Sequence, residues 1–400
     1  MSFPNTIVVN LSSSGNRLGG AALAAEWHSR YLAKHYPVEL WRMWNQDETF
    51  SIDNLSIINY KTISQFGLFS RFIPRQLDAC FLTSNILEDL VRIKPKIVHL
   101  QNPVPAIDFR RIAKKCTELG IKTVASTHGF FEVLNPNYEW KFYQKLGWDY
   151  LIKKPLADSF QFLDVILSGY PQEKEVLISN GLDAGKIHLV PNGVNPFFLS
   201  QPSLEEKKAV LERFDIPQNH PILLFIGNHT GNKGLSTVMQ VAAHISKPVT
   251  IVVGGKCLMD NEPDYWQAKI PSANHVRVIF TDYLSLEQQR ALYALSTLLL
   301  FPSLADTLPL TIIEAMACYL PVVAYDVGGI SYQLDHQSGL VVKSGDTQAF
   351  IASVEFLLDH PEQLEKLAIN AKKRQERLFS WDVASTKTID IYKYLLSFHN

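Results

Sequence analysis

The sequence predicts an α/β protein of two Rossmann-like domains, and three observations carry that prediction. Short β-branched runs alternate with longer amphipathic stretches, the alternating series comes twice, and a polar, proline-bearing stretch over residues 195–220 separates the two series. Alternation of this kind predicts parallel sheets with helices on both faces. The length of 400 residues exceeds what one hydrophobic core usually supports, so two domains are expected on size as well.

The first series opens with the strand pattern 6–11 (TIVVNL), a glycine-bearing turn and a helical pattern over 21–35. Strands are expected at 96–100 (KIVHL) and 122–126 (KTVAS), with a helix over 110–119 between them, then at 164–168 and 187–190. The second series has strands at 222–226 (ILLFI), 249–253, 276–280, 298–301 and 322–325. Ligands of open α/β sheets bind at the carboxyl ends of the strands, so functional side chains are sought just after them.

Composition narrows the function classes. A hydrophobic fraction of 46%, a charged fraction of 19% and a net charge of −1 describe a globular chain with no electrostatic case for nucleic acid. Cys80, Cys116, Cys257 and Cys318 are scattered and form no Cys-x-x-Cys pair, which argues against a zinc site or disulfide framework and suits a reducing cytoplasm. The N-terminal apolar run is short and reads as a strand, and no stretch approaches the roughly 18 apolar residues of a membrane span. A cytoplasmic protein is expected, with room for peripheral contact at the inner face of the membrane.

Four places can carry chemistry. The turn Ser12–Gly20 joins a strand to a helix, and Gly19-Gly20 would let backbone N–H groups approach a phosphate, although a plain flexible connection reads equally well. His128 follows the strand at 122–126, where an imidazole can reach a cleft; the other histidines read as surface or structural. In the second series, Gly227-Asn228 opens a loop that ends in Lys233-Gly234. Its lysine suits a phosphoryl oxygen, though the order of residues is not that of a P-loop. The richest stretch is 301–318. There a strand ends, a loop carries Asp306, and a helix starting near Thr311 carries Glu314, so both carboxylates can line one pocket; an acid early in a helix is also favoured by the macrodipole alone.

Together these residues resemble the large retaining glycosyltransferase family 4. The resemblance runs from Gly19-Gly20 and His128 through Pro191-Asn192-Gly193-Val194-Asn195, Gly227, Lys233-Gly234, Pro302-Ser303 and Glu314-Ala315-Met316-Ala317. It continues to Gly328-Gly329-Ile330, Ser338-Gly339-Leu340 and Phe379-Ser380-Trp381. Each motif is common, but their order and spacing together are specific. The resemblance implies a GT-B fold, two Rossmann-like domains facing each other across a cleft. Residues 1–200, completed by a C-terminal helix over 382–400, would bind the acceptor, and 201–381 the nucleotide-sugar donor.

It further implies that Lys233 neutralises the donor diphosphate and that Glu314 holds the ribose hydroxyls. Leu308, Leu310 and Thr311 would present loop amides to phosphate and sugar, with Gly227 and Asn228 beside them. Gly19 and Gly20 would close over the diphosphate. His128 would lie near the transferred sugar, and His128, Lys233 and Asp306 are the catalytic candidates. The acceptor would be a saccharide or a lipid-linked one, in cell-surface polysaccharide or glycolipid assembly. No metal or other cofactor is expected, and the chain has no Asp-x-Asp motif.

Two departures from the family pattern stand out. Asn228 occupies the place of a usual arginine, and Asp306 replaces the first glutamate of a Glu-x7-Glu pair; Pro309 also removes one loop amide. They motivate a competing reading as a nucleotide-binding scaffold without turnover. A GT-B epimerase, which would interconvert its sugar nucleotide with no acceptor, is a third. Base contacts are expected near 280–284. The stretch 138–154 interleaves aromatics with lysines, and Arg71 and Arg75 lie near Phe69 and Phe72. Such stretches suit an interfacial helix, but a helix with a buried aromatic face explains them better.

Overall fold

The computed structural model describes residues 6–10, 20–67, 69, 78, 81–128, 130–134, 142–257, 262–270 and 275–397. The chain divides into two compact units, Met1–Gly193 with Trp381–Asn400, and Val194–Ser380.

In the first unit the strands β1 (Thr6–Asn10), β2 (Val38–Trp44), β3 (Glu48–Ile52) and β4 (Leu55–Lys61) come first. A small antiparallel ribbon follows, β5 (Ile63–Ser64) with β6 (Leu82–Thr83), and then β7 (Ile97–Gln101), β8 (Lys122–Ser126), β9 (Val165–Ser168) and β10 (Ile187–Leu189). Ribbon aside, they form one eight-stranded sheet in the order β10-β9-β8-β7-β1-β2-β4-β3. All neighbours are parallel except β3 with β4. Side chains of a strand alternate between faces. Accordingly Ile7 and Val9 enter one core cluster and Val8 the other. That second cluster is closed by the C-terminal helix Trp381–Ser397, which packs on the helix Gly20–Ala33: the His28 ring stacks on Trp381, and His28 Nε2 meets Thr388 Oγ1 at 3.0 Å.

The second unit holds β11 (Ile222–Ile226), β12 (Val249–Gly254), β13 (Val276–Asp282), β14 (Leu298–Phe301), β15 (Val322–Asp326) and β16 (Leu340–Lys343). The order β13-β12-β11-β14-β15-β16 is fully parallel. Both faces are buried: Leu223, Phe225, Leu298 and Leu300 face one core, and Ile222, Leu224, Leu299 and Phe301 the other. Burial on both faces explains why these strands read as unbroken apolar runs. The order reverses between β11 and β14, and the crevice at such a switch point is where this architecture takes its ligand.

The expected strands at 122–126, 222–226 and 298–301 match residue for residue, and most of the others shift by one or two. The sequence reading assigned nothing over 38–61, where the structure has β2, β3 and β4, and it missed β16. Gly19, the rest of the turn at 11–19, Arg71, Phe72, Arg75 and Cys80 lie outside the described residues.

Candidate functional site

The loops after β11 and β14, on either side of the reversal, hold the charged groups. Gly231–Lys233 is a single 3-10 turn, and Gly234, at φ +77°, then starts the helix Leu235–His244. A Cβ on Gly234 would lie 1.9 Å from the Pro302 carbonyl oxygen, so only glycine lets the two loops meet. Leu304 N–H and Ser303 Oγ both donate to the Asn232 carbonyl, at 2.7 and 3.1 Å, and sew the loops together. A third loop, after β15, joins them: Gly329 N–H donates to Thr307 O at 2.6 Å, and Gln333 Nε2 to Pro309 O at 3.0 Å.

This framework brings Lys233 and Asp306 into one ion pair, with Nζ 2.8 Å from both carboxylate oxygens. The side chains are only 28% and 16% exposed, so the pair is partly shielded from solvent. Asp306, expected from its spacing to line one pocket with Glu314, pairs with Lys233, 73 positions away. The Gly227 N–H donates to Gly254 O at 3.0 Å, so that amide is occupied. Asn228 is exposed.

Pro309 precedes the helix Leu310–Ala317 with φ −63° and ψ 127°, and no side chain caps it. The first N–H groups of a helix have no intrahelical acceptor, so the amides around Leu310 and Thr311 are the donors this end offers an anion. Leu308 is half-buried in the loop just before. One turn on, Glu314 is half-buried, and Tyr293 O–H donates to its Oε2 at 3.0 Å. Burial pushes the Glu314 carboxyl up to about 7, and the Tyr293 hydrogen bond pulls the other way. Tyr293 was not foreseen. It lies on the buried face of the helix Leu286–Leu295, where nothing in the sequence separates it from a core aromatic.

In the first unit, Gly20 is exposed and begins the helix Gly20–Ala33. His128 follows β8, half-buried, and desolvation holds its imidazole down at about 4, neutral around pH 7. Beside it, Thr127 Oγ1 and Ser168 Oγ donate to the buried Glu173 Oε2 at 2.5 and 2.7 Å, tying the carboxyl ends of β8 and β9 together. His99 is structural: it bonds Tyr392 O–H through Nδ1 at 2.7 Å and Ser126 Oγ through Nε2 at 2.8 Å. Of the aromatic–lysine stretch, residues 138–141 lie outside the described part. The rest is helical, with Trp148 Nε1 donating to Val133 O at 3.0 Å and Ile152 buried, while Tyr150 is exposed. Among the described residues no helix is long and apolar enough to cross a membrane.

The family model "Glycosyltransferase Family 4" matches residues 18–197, and "Glycosyl transferases group 1" matches 206–374. Alpha-maltose-1-phosphate synthase of Mycolicibacterium smegmatis is 26% identical over 304 residues, 68% of this chain and 73% of that enzyme. D-inositol 3-phosphate glycosyltransferase of Xylanimonas cellulosilytica is 29% identical over 57% of this chain, and the match spans 56% of that relative, about half its length. Among solved structures, Anabaena HepE in complex with UDP superposes with a TM-score of 0.74 at 15% identity, covering 98% of this chain and 100% of that one. The same protein with UDP-glucose gives 0.69 at 15% identity, over 97% and 99%. Two matching family models that together take in most of the chain, and a shared two-sheet architecture, lead to one conclusion: the fold is GT-B and the chain belongs to glycosyltransferase family 4.

Proposed function

We propose that the chain transfers a sugar from a nucleoside-diphosphate sugar to an acceptor hydroxyl with retention of anomeric configuration. The observation that carries this reading is the Lys233–Asp306 pair at the switch point of the second sheet, beside a helix start with free amides. A transfer of this kind leaves a nucleoside diphosphate on which negative charge grows. A half-buried ammonium and preorganised amides are suited to stabilise that charge. Lys233 is the cation, the amides near Leu308, Leu310 and Thr311 are the donors, and Glu314 takes the ribose hydroxyls. Asp306 keeps Lys233 extended and gives way as the diphosphate arrives. The neutral His128 offers the sugar a hydrogen-bonding imidazole.

In the proposed route the bond from the anomeric carbon to the diphosphate breaks while the acceptor oxygen bonds to that carbon from the same face. The acceptor proton passes to the departing phosphate. No protein nucleophile is involved, and no metal at the diphosphate. The HepE complexes support a donor of the UDP-sugar type, and the proposed acceptor is a saccharide or lipid-linked saccharide of surface polysaccharide or glycolipid assembly. A second reading, nucleotide binding without turnover, is favoured by Asn228 and by a lysine already neutralised.

The deciding experiment incubates the protein with UDP-, GDP- and ADP-sugars, following nucleoside diphosphate release and the melting temperature. Stabilisation and slow hydrolysis with one donor, both lost in Lys233→Ala, are expected. Binding without turnover under every acceptor tried would favour the second reading. A covalent glycosyl–enzyme intermediate would overturn the same-face route.

A further inference from the structure

We propose that His229, Cys257 and Glu262 form a binding site for one zinc-class divalent cation, which braces the loops after β11 and β12. One ligand atom from each residue lies within 4.8 Å of the others. Tetrahedral zinc with bonds of roughly 2.0–2.3 Å needs ligand atoms about 3.3–3.8 Å apart, so only a modest contraction is required. The set of one imidazole nitrogen, one thiolate and one carboxylate is ordinary zinc chemistry, with a fourth position for water.

The histidine is the observation that points to a ligand. Its side chain has no exposure, and neither Nδ1 nor Nε2 has a hydrogen-bond partner. A buried imidazole with both nitrogens unsatisfied is costly, and native interiors rarely tolerate it. Nδ1 lies 3.3 Å from Glu262 Oε2, while the other carboxylate oxygen accepts from Trp266 Nε1 at 3.4 Å. The Glu262 side chain is only 4% exposed. Phe225 and Phe280 pack their rings against His229. A dication with one thiolate and one carboxylate is neutral overall, which suits a site taken out of water.

The surrounding backbone is tight enough to hold such a geometry. Gly255 has φ +139°, and a Cβ there would lie 1.8 Å from Gly227 O and 3.4 Å from His229 Cδ2. Gly255 N–H also donates to Asp282 O at 2.9 Å. A cation here would fix the first part of the loop that ends in Lys233, and no step of the proposed sugar transfer passes through it. The site does not depend on the proposed donor: failure to find a donor leaves it standing. It also departs from the sequence expectation, in which scattered cysteines argued against zinc; His229, Cys257 and Glu262 become neighbours only through the sheet.

The test strips the full-length protein with a chelator and titrates it with Co2+, then Zn2+. The expected result is one Co2+ per chain, with a near-ultraviolet thiolate-to-cobalt band and the visible bands of four-coordinate cobalt. Zn2+ should erase these bands and raise the melting temperature by several degrees. Cys257→Ser, at a half-exposed position, should abolish the near-ultraviolet band and weaken Zn2+ at least tenfold with the circular dichroism unchanged. His229→Gln should weaken it further. No saturable Co2+ uptake, or a thiolate band that survives Cys257→Ser, would overturn the site.

Discussion

Replacing Glu314 by glutamine should make the ligand-free protein more stable at high pH and leave it unchanged at low pH. Burial lifts this carboxyl from 4.5 to about 7. At about 1.4 kcal/mol per pH unit of difference, the charged form is disfavoured in the folded state by about 3 kcal/mol. Folding therefore raises the affinity for the proton, so the stability this group contributes is fully present below pH 4.5 and lost as pH rises through 7. Glutamine copies the protonated acid in shape and never ionises. Side-by-side urea unfolding of wild type and Glu314→Gln at pH 5, 6, 7 and 8 should show a gap that opens with pH, toward about 3 kcal/mol in favour of the variant. Tyr293→Phe removes the hydrogen bond that holds the carboxyl down and should move the midpoint to higher pH. A gap that stays constant from pH 5 to 8, or a Glu314 carbon resonance titrating near 4.5, would refute the reasoning. If Glu314 grips the ribose, the stabilised variant should also bind donor more weakly, a trade expected of a strained site.

The ion pair gives a second prediction: Asp306→Asn removes the competitor for Lys233, so nucleoside diphosphate should bind several-fold tighter by calorimetry while the ligand-free protein melts lower. Gly234→Ala combines a left-handed backbone with a 1.9 Å clash against Pro302 O and should cost about 3 kcal/mol or more, read as a clear fall in melting temperature. Acid should act on the first unit. His28 is held at about 3 by burial and then by His128, His99 is also held low, and His128 is held at about 4 by burial. All three have depressed values, so their contribution is present above pH 6.5 and lost as pH falls toward 4. The melting temperature of this unit should drop over that window, and His28→Gln should flatten the drop; an acid-insensitive melt would contradict it.

The parts legible in the sequence are those set by a strand's own neighbours. Residues 222–226 and 298–301 are apolar on both faces, a pattern that fixes the strand and its depth together. Residues 38–61 escaped because polar side chains break the pattern: Arg42 Nε donates to Asn59 Oδ1 at 3.0 Å and its Nη1 reaches Glu26 at 3.2 Å, bonds that make burial tolerable but leave no periodic trace. Lys233 and Asp306 could each be picked out as charged groups after a strand. Their partnership could not, because it depends on β11 and β14 being neighbours in the sheet. Tyr293, Glu173 and His229 were illegible for the same reason, each being an ordinary residue whose environment is assembled from distant segments.

The route of the chain has a consequence for how it is made. Val194–Ser380 is continuous and carries its own sheet and both its cores, so it can fold once its last residue has left the ribosome. The first unit is synthesised earlier and must wait longer. The face bearing Leu32, Tyr36, Val38 and Leu40 is covered only when Trp381, Ile389, Tyr392 and Leu395 arrive, after the whole second unit has been made. Until then a nascent chain displays an open apolar surface for the whole time the other unit takes to emerge. A chain truncated after Ser380 should therefore hold a finished second unit and an unfinished, chaperone-prone first one, inverting the usual order in which the earliest domain matures first.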